Sequence, residues 1–285
     1  EFCGQCISTC PVGALTTSLI SHHARQWELK KAPSICAYCG CGCTLILGIK
    51  DNQVRTVTSG YDAGANCGNL CVKGRYGWEY IHSDERLTTP LLRKEGRLVP
   101  CSWEAALQET VRGLERIKGA YGADAIGVIG SGRLTNEEAH VLQTFTRAAL
   151  GPNHVDTSDG FTYQGLLGLK ECLGYPAMTN AIAELRDAEV ILAVRSDPQE
   201  THPMVKLEVI MALNRNRAFL IAASSYETWL HAKSHCAIIY RPGTEVAFLN
   251  GMMQIIFSEG LEDRAFIAER TRGCEELRRA VADFD

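Results

Sequence analysis

No uninterrupted apolar run in this sequence reaches the ~18 residues that a membrane-spanning helix needs, so no span is expected within it. G-x-S-x-G, P-loop and H-E-x-x-H motifs are absent, which removes the familiar signatures of serine hydrolases, nucleoside triphosphatases and zinc peptidases. No G-x-G-x-x-G opens a helix after a strand, so nicotinamide binding is not expected in this chain. An excess of positive charge is also missing: the net charge of −4 gives no reason to expect a nucleic-acid partner. Cysteine is absent between Cys101 and Cys172 but abundant elsewhere, with 13 in 285 residues and nine of them before residue 72. Clustered in that way they read as metal ligands rather than disulfide staples, and they imply a reducing or metal-protected compartment.

Four of them, Cys36, Cys39, Cys43 and Cys71, have the order C-x2-C-x3-C-x27-C. Three close thiols and one returning thiol suit an iron–sulfur cluster, which takes four thiolates from protein. Small residues between the thiols, in "CAYCGCGC", let the backbone turn tightly around such a group. Zinc remains the competing occupant, since four cysteines also close a tetrahedral site, although zinc sites usually pair two short knuckles. Cys41 is expected to point away from the cluster and Cys67 to pack beside it. Cys101, Cys236 and Cys274 read as buried or half-buried thiols without a role.

A second group opens the chain. Cys3, Cys6 and Cys10, followed by Pro11, match the last three cysteines of the ferredoxin run C-x2-C-x2-C-x3-C-P. In that run the last cysteine serves a different cluster from the two before it. The first cysteine of the run would stand just before Glu1, so a truncation inside a ferredoxin-like domain is expected, with stable iron binding here only when the upstream segment is present. The stretch from about Thr16 to Pro33 reads as a linker, with His22 and His23 solvated on it.

The remaining sequence alternates strands and helices. Hydrophobic content of 46% with 22% charge is ordinary globular chemistry, enough for one large or two ordinary domains. Ser102 is a suitable N-cap for a helix from Trp103 to about Lys118, and Thr135 with Glu138 forms a T-x-x-E capping box. "DAIGVIGSG", "AEVILAVRSDP", "AFLIAASS" and "CAIIY" read as buried strands, with a helix from about His202 to Asn214 and another after "RPGT". Such alternation implies a mainly parallel α/β sheet, whose ligands gather at the strands' carboxyl ends: Gly130–Arg133, Arg195–Pro198, Ala223–Tyr226 and Arg241–Thr244.

The ferredoxin tail, the four-cysteine site, "LCVKGRYG", "DERLTTPLLR", "SDPQETHP" and "RPGTEVAFLNGM" together resemble the molybdopterin oxidoreductase superfamily. The likeness is to formate dehydrogenase alpha subunits and the large iron–sulfur subunit of NADH dehydrogenases. It implies a small 4Fe–4S domain followed by mainly parallel α/β domains: a ferredoxin-like remnant and linker over 1–31, the cluster domain over 32–85, and α/β segments over 86–150 and 151–285, the last cut short at its C-terminus. It also implies that Cys36, Cys39, Cys43 and Cys71 hold a 4Fe–4S cluster and that Lys73 lies between cluster and pterin. Asp197, His202, Gly243 and Thr244 would contact a molybdopterin guanine dinucleotide.

The chain departs from formate dehydrogenases in one loop. Where active members carry a selenocysteine or cysteine metal ligand and then a histidine, this sequence has "NHVDTSDGFTYQGLLGL", with Thr162 and Tyr163 at or near those places. A hydroxyl is a poor substitute for a thiolate on molybdenum or tungsten. "SSY", Ser224 to Tyr226, also replaces the family's aspartate–proline–arginine. No catalytic residue is therefore expected, and no metal ligand from the loop Val155 to Leu166. The expected role is an electron-transfer subunit of a multi-subunit oxidoreductase. Its partners would be redox subunits carrying iron–sulfur clusters, flavin or NAD(P), and its location cytoplasmic, in or beside a membrane-associated complex. Lys73 and the intact "RPGT" argue the other way, for a retained pterin and a catalytic molybdenum or tungsten subunit. A zinc-stabilised structural domain is the third reading.

Overall fold

The computed structural model describes residues 3–18, 24–61, 64–157 and 163–284. His22, His23 and Thr162 lie outside them. The chain divides into two compact units, Glu1–Ile182 and Ala183–Asp285.

The first unit begins with a short helix, α1 (Gln5–Thr9), and an antiparallel sheet of β1 (Lys30–Ile35), β2 (Thr44–Lys50) and β3 (Gln53–Thr58), in that order. Asp51 and Asn52 turn β2 into β3 with φ of 53° and 57°, the paired left-handed conformation that a two-residue hairpin needs. β1 starts inside the stretch expected to be linker. It is an edge strand of the sheet, and its alternating exposure goes with a pattern too polar to stand out in sequence. Next come α2 (Val72–Tyr76) and the hairpin β4 (Leu91–Lys94) with β5 (Arg97–Pro100).

Helix α3 (Trp103–Tyr121) starts where expected, with the Ser102 hydroxyl accepting from the Ala105 amide at 3.2 Å, and runs three residues further than Lys118 before Gly122. Strands β6 (Val128–Gly130) and β7 (Val155–Thr157) pair in parallel across α4 (Asn136–Thr144), which widens into a π-helical turn at Phe145–Leu150. α5 (Tyr163–Leu173) follows. The capping box of α4 is complete: the Glu138 amide donates to the Thr135 hydroxyl at 3.2 Å, and the Thr135 amide donates to the Glu138 carboxylate at 2.8 Å. Replacing Thr135 by alanine is expected to cost about 1 kcal/mol, read as a lower denaturant midpoint at unchanged slope.

The second unit is the parallel α/β layer anticipated above. Its sheet has the order β10-β9-β8, formed by β8 (Val190–Val194), β9 (Phe219–Ser224) and β10 (Cys236–Ile239). Two helices, α6 (Pro198–Thr201) and α7 (Pro203–Met211), connect β8 to β9, and α7 ends in a second π-helical turn, Ala212–Asn216. After β10 come α8 (Glu245–Ser258), α9 (Arg264–Arg270) and α10 (Cys274–Ala280). Central β9 is the most buried strand, as a strand paired on both sides and covered by helices must be. Leu220 and Ala222 on it pack with Ile191, Val209, Ala212, Ala218 and Leu230 into one apolar cluster.

Candidate metal centre and cofactor-binding strand ends

The four-cysteine motif lies between β1, β2 and α2. The Cys36 amide donates to the Cys43 carbonyl at 2.9 Å, closing the C-x2-C-x3-C loop into a ring just before β2. Cys71 returns as the N-cap of α2, its sulfur accepting from the Gly74 amide at 3.5 Å. A Cβ on Gly74 would stand in ordinary contact, 3.7 Å from the Cys36 sulfur and 4.0 Å from the Cys71 sulfur, so a side chain branching beyond Cβ would enter the space these two thiols share.

The other two thiols lie within electrostatic reach of this pair. Burial pushes the Cys36 thiol up, and neighbouring Cys71 and Cys39 add to it against the Tyr38 amide. Burial, then Cys41, Cys36, Cys39 and Cys71, push Cys43 up to about 12. Raised by burial and by their neighbours, the Cys36 and Cys43 thiols disfavour the bare thiolate. A cationic iron core removes that conflict, so the donor set fits a 4Fe–4S cluster. No three His, Cys, Asp or Glu among the described residues close on a single metal ion. A cubane asks for a wider arrangement, because each sulfur binds a different corner. Cys41, expected to point away from the cluster, is buried, and of the neighbouring thiols it adds most to the raising of Cys43. Cys67 is half-buried, with its thiol 3.9 Å from the Gly64 carbonyl.

Asn66 was not anticipated. It is 2% exposed and ties the returning loop to the start of β2. Its carbonyl oxygen accepts from the Thr44 amide at 2.9 Å, and its amide nitrogen donates to the Ser59 hydroxyl and the Asn69 carbonyl at 2.8 and 2.6 Å. A fully bonded buried amide of this kind fixes the chain on either side of it, here Cys43 and Cys71. Substituting Gly74 by valine is expected to leave the sheet intact but to lose most of the iron. The check is iron and sulfide analysis beside circular dichroism.

Of the ferredoxin-type cysteines, Cys3 and Cys10 flank α1 and Cys6 lies within it. Cys3 and Cys10 are half-buried and Cys6 is exposed. The amides of Leu15, Val12, Ala14 and Gly13 surround the Cys10 sulfur and lower its pKa. A nest of amides around sulfur fits a cluster thiolate.

In the second unit, three of the four enclosed polar side-chain atoms without a partner among the described residues lie at the strands' carboxyl ends. Asp197 Oδ1, Ser224 Oγ and Tyr240 Oη are enclosed and unbonded, each just past or at the end of β8, β9 and β10. Backbone bonds keep these ends side by side, with Arg195 N donating to Ala223 O at 2.8 Å and Tyr240 N to Ser224 O at 3.1 Å. Burial, then Glu245, push the Tyr240 phenol up, while Arg195 opposes. Arg195 itself sits at φ 48° and reaches Glu245 at 3.9 Å. Thr244 precedes α8 without capping it, its hydroxyl donating instead to Arg241 O at 2.7 Å. Gly243 has φ 81°. An uncapped helix N-terminus beside a glycine suits phosphate oxygens.

Residues 29–83 match the molybdopterin oxidoreductase Fe4S4 domain, and residues 86–275 match molybdopterin oxidoreductase itself. The chain belongs to the molybdopterin oxidoreductase family. Among its relatives, formate dehydrogenase H of Escherichia coli is 37% identical over 266 residues, covering 90% of this chain and 37% of that protein. The NADPH-Fe(3+) oxidoreductase subunit alpha of Geobacter sulfurreducens is 31% identical over 284 residues, covering 99% of this chain and 33% of that one. The chain thus spans about a third of the length of these relatives. Acetylene hydratase from Pelobacter acetylenicus shares the fold, with a TM-score of 0.66 at 20% identity over 90% of this chain and 35% of its own.

This molybdopterin oxidoreductase chain places its expected site residues in two groups. Lys73 lies exposed in the first turn of α2, two residues past Cys71. Asp197, Gly243 and Thr244 stand at the strand ends of the second unit, and His202 is exposed between α6 and α7. Arg195 and Tyr240 join them there and were not singled out in sequence. Arg195 fell within an expected strand-end range and Tyr240 one residue before another. Thr162 is outside the described residues, and Tyr163 is described only as the first residue of the α5 backbone. No helix among the described residues is long and apolar enough to cross a membrane.

Proposed function

We propose that this chain is the cluster-bearing portion of an oxidoreductase subunit that passes electrons through a 4Fe–4S centre held by Cys36, Cys39, Cys43 and Cys71. The observation that carries it is the approach of the Cys36 and Cys71 sulfurs to Gly74, whose amide bonds the Cys71 sulfur, with Cys43 within electrostatic reach of Cys36, Cys39 and Cys71. A cluster supplies a one-electron store. The protein's contribution is to fix it with Asn66 and α2, partly exclude water, and present Lys73 two residues beyond a ligand. Cys3, Cys6 and Cys10 contribute ligands to ferredoxin-type clusters on the same route, toward partner subunits that carry further redox groups. The relatives named alpha subunits of oxidoreductases support such an assembly.

A second reading has its own observation. Asp197 Oδ1, Ser224 Oγ and Tyr240 Oη are suited to a dinucleotide cofactor at the strand ends, with its phosphates near Gly243 and Thr244. When bound, a molybdopterin guanine dinucleotide supplies the dithiolene sulfurs that hold molybdenum or tungsten. The chain's own part would be to seat the nucleotide. Thr162 and Tyr163 make poor metal ligands, so a retained pterin is compatible with electron transfer without formate chemistry. Metal analysis of the purified holoprotein separates the readings. Iron without molybdenum or tungsten supports the first, either of those metals with pterin the second, and zinc alone overturns both.

A further inference from the structure

Arg75 is 5% exposed, charged, and one residue beyond the amide that bonds the Cys71 sulfur. Its guanidinium is spent entirely on the segment around α1, some 70 residues away in sequence. Nε donates to the Cys3 carbonyl at 2.7 Å, one terminal nitrogen to the Gln5 side-chain carbonyl at 2.9 Å, and the other to the Ser8 hydroxyl. Its backbone stays on the other side: Arg75 N donates to Cys71 O at 3.0 Å, and the Trp78 indole donates to Arg75 O at 3.0 Å. The segment is shaped to receive it. Gly4 has φ +72°, and a Cβ there would overlap the Tyr76 hydroxyl and stand 2.8 Å from Arg75 Cδ. A cleft of about 390 Å³, lined in part by Ile7, Ser8, Tyr61, Arg75 and Tyr76, runs along the seam.

Burying an arginine is unfavourable unless every donor it turns inward finds an acceptor, and a planar fork meeting three fixed acceptors sets orientation as well as proximity. We propose that Arg75 is a positioning residue that locks the ferredoxin-type segment onto helix α2, holding the Cys3–Cys6–Cys10 group and the Cys71 group at one fixed separation. Such a lock matters because electron exchange between two centres falls steeply as their spacing grows. No bond is made or broken by it and no proton moves. Lysine would not do the same work, since a single ammonium lacks the geometry to satisfy a carbonyl, an amide oxygen and a hydroxyl on three sides.

The inference rests on the cluster reading above, and its test keeps the two apart. Full-length holoprotein would be compared with Arg75→Met, Arg75→Lys and the double variant Gln5→Ala/Ser8→Ala, which leaves Arg75 in place and removes two of its acceptors. Hydrogen exchange at the amides of Ile7, Ser8 and Cys10 should quicken by roughly tenfold or more in Arg75→Met, the factor that one lost charge-assisted hydrogen bond represents. Arg75→Lys and the double variant should fall between it and wild type. Iron content should stay at the wild-type level, while the spin–spin broadening between reduced clusters in electron paramagnetic resonance should disappear. Unchanged exchange and unchanged broadening in Arg75→Met would overturn the proposal. So would loss of all iron in both Arg75→Met and the double variant, which would make the contact merely structural. Wild-type protein without iron would refute the cluster reading, and the exchange data would still decide the clamp.

Discussion

Replacing Cys71 by serine is expected to abolish most of the bound iron and visible cluster absorbance while leaving the protein folded. Two roles meet at this residue. Its sulfur is the ligand that returns to complete the C-x2-C-x3-C trio, and it also accepts the Gly74 amide as the N-cap of α2. Serine is among the best N-cap residues, so the second role survives the change. The first does not, because a serine hydroxyl remains protonated near neutral pH and binds iron far less well than a thiolate. The variant therefore separates ligation from folding in a way that alanine would not. Iron and sulfide analysis with circular dichroism is the measurement. Iron and sulfide at wild-type levels in the serine variant would sink the assignment.

The largest expected effect on stability lies in the second unit. Glu208 is 3% exposed and is held by Arg186 through two parallel bonds, Nε to Oε2 at 2.7 Å and a terminal nitrogen to Oε1 at 2.8 Å. A buried carboxylate that loses its bidentate partner has nowhere to put its charge. Arg186→Met is accordingly expected to destabilise by about 3–5 kcal/mol. That corresponds to a melting temperature lower by roughly 10 °C or more. Glu208→Gln in the same background should recover part of the loss, because it removes the stranded charge rather than the packing. A single-variant cost below about 1 kcal/mol would show that water or another donor reaches Glu208 when Arg186 is gone.

The elements that sequence revealed are those with local causes. Ser102 and the Thr135–Glu138 pair announce α3 and α4 because capping is settled within four residues. The apolar runs of β8 and β9 announce themselves as strands by composition, although only β9 is buried along most of its length while β8 leaves Val190 and Leu192 exposed. The antiparallel sheet around the cluster was less legible. Lys30 to Ile35 carry no apolar run, and pairing with β2 rather than propensity makes them a strand. The π-helical turns were invisible for a similar reason, since periodicity does not distinguish a wide turn from an ordinary one. In the candidate sites, cysteine spacing pointed to the metal centre. The parts played by Asn66, Gly74 and Arg75 depend on contacts between segments far apart in the chain.

The two wide turns are the structural equivalent of an insertion of one residue into an otherwise regular helix. Each lies at the end of a helix that leads into a strand, before Gly151 in one case and before Arg217, at φ 52°, in the other. Their most buried positions, Thr146 and Ala212, are each 0% exposed. Removing one residue from either turn would restore ordinary helical hydrogen bonding. It would also rotate everything on one side by roughly 100° about the helix axis. The side chain now filling the interior would then be replaced by its neighbour on the rim. Chain length at these two points is thus under the same constraint as side-chain volume in a packed core, and a deletion there should be tolerated no better than a charge placed inside.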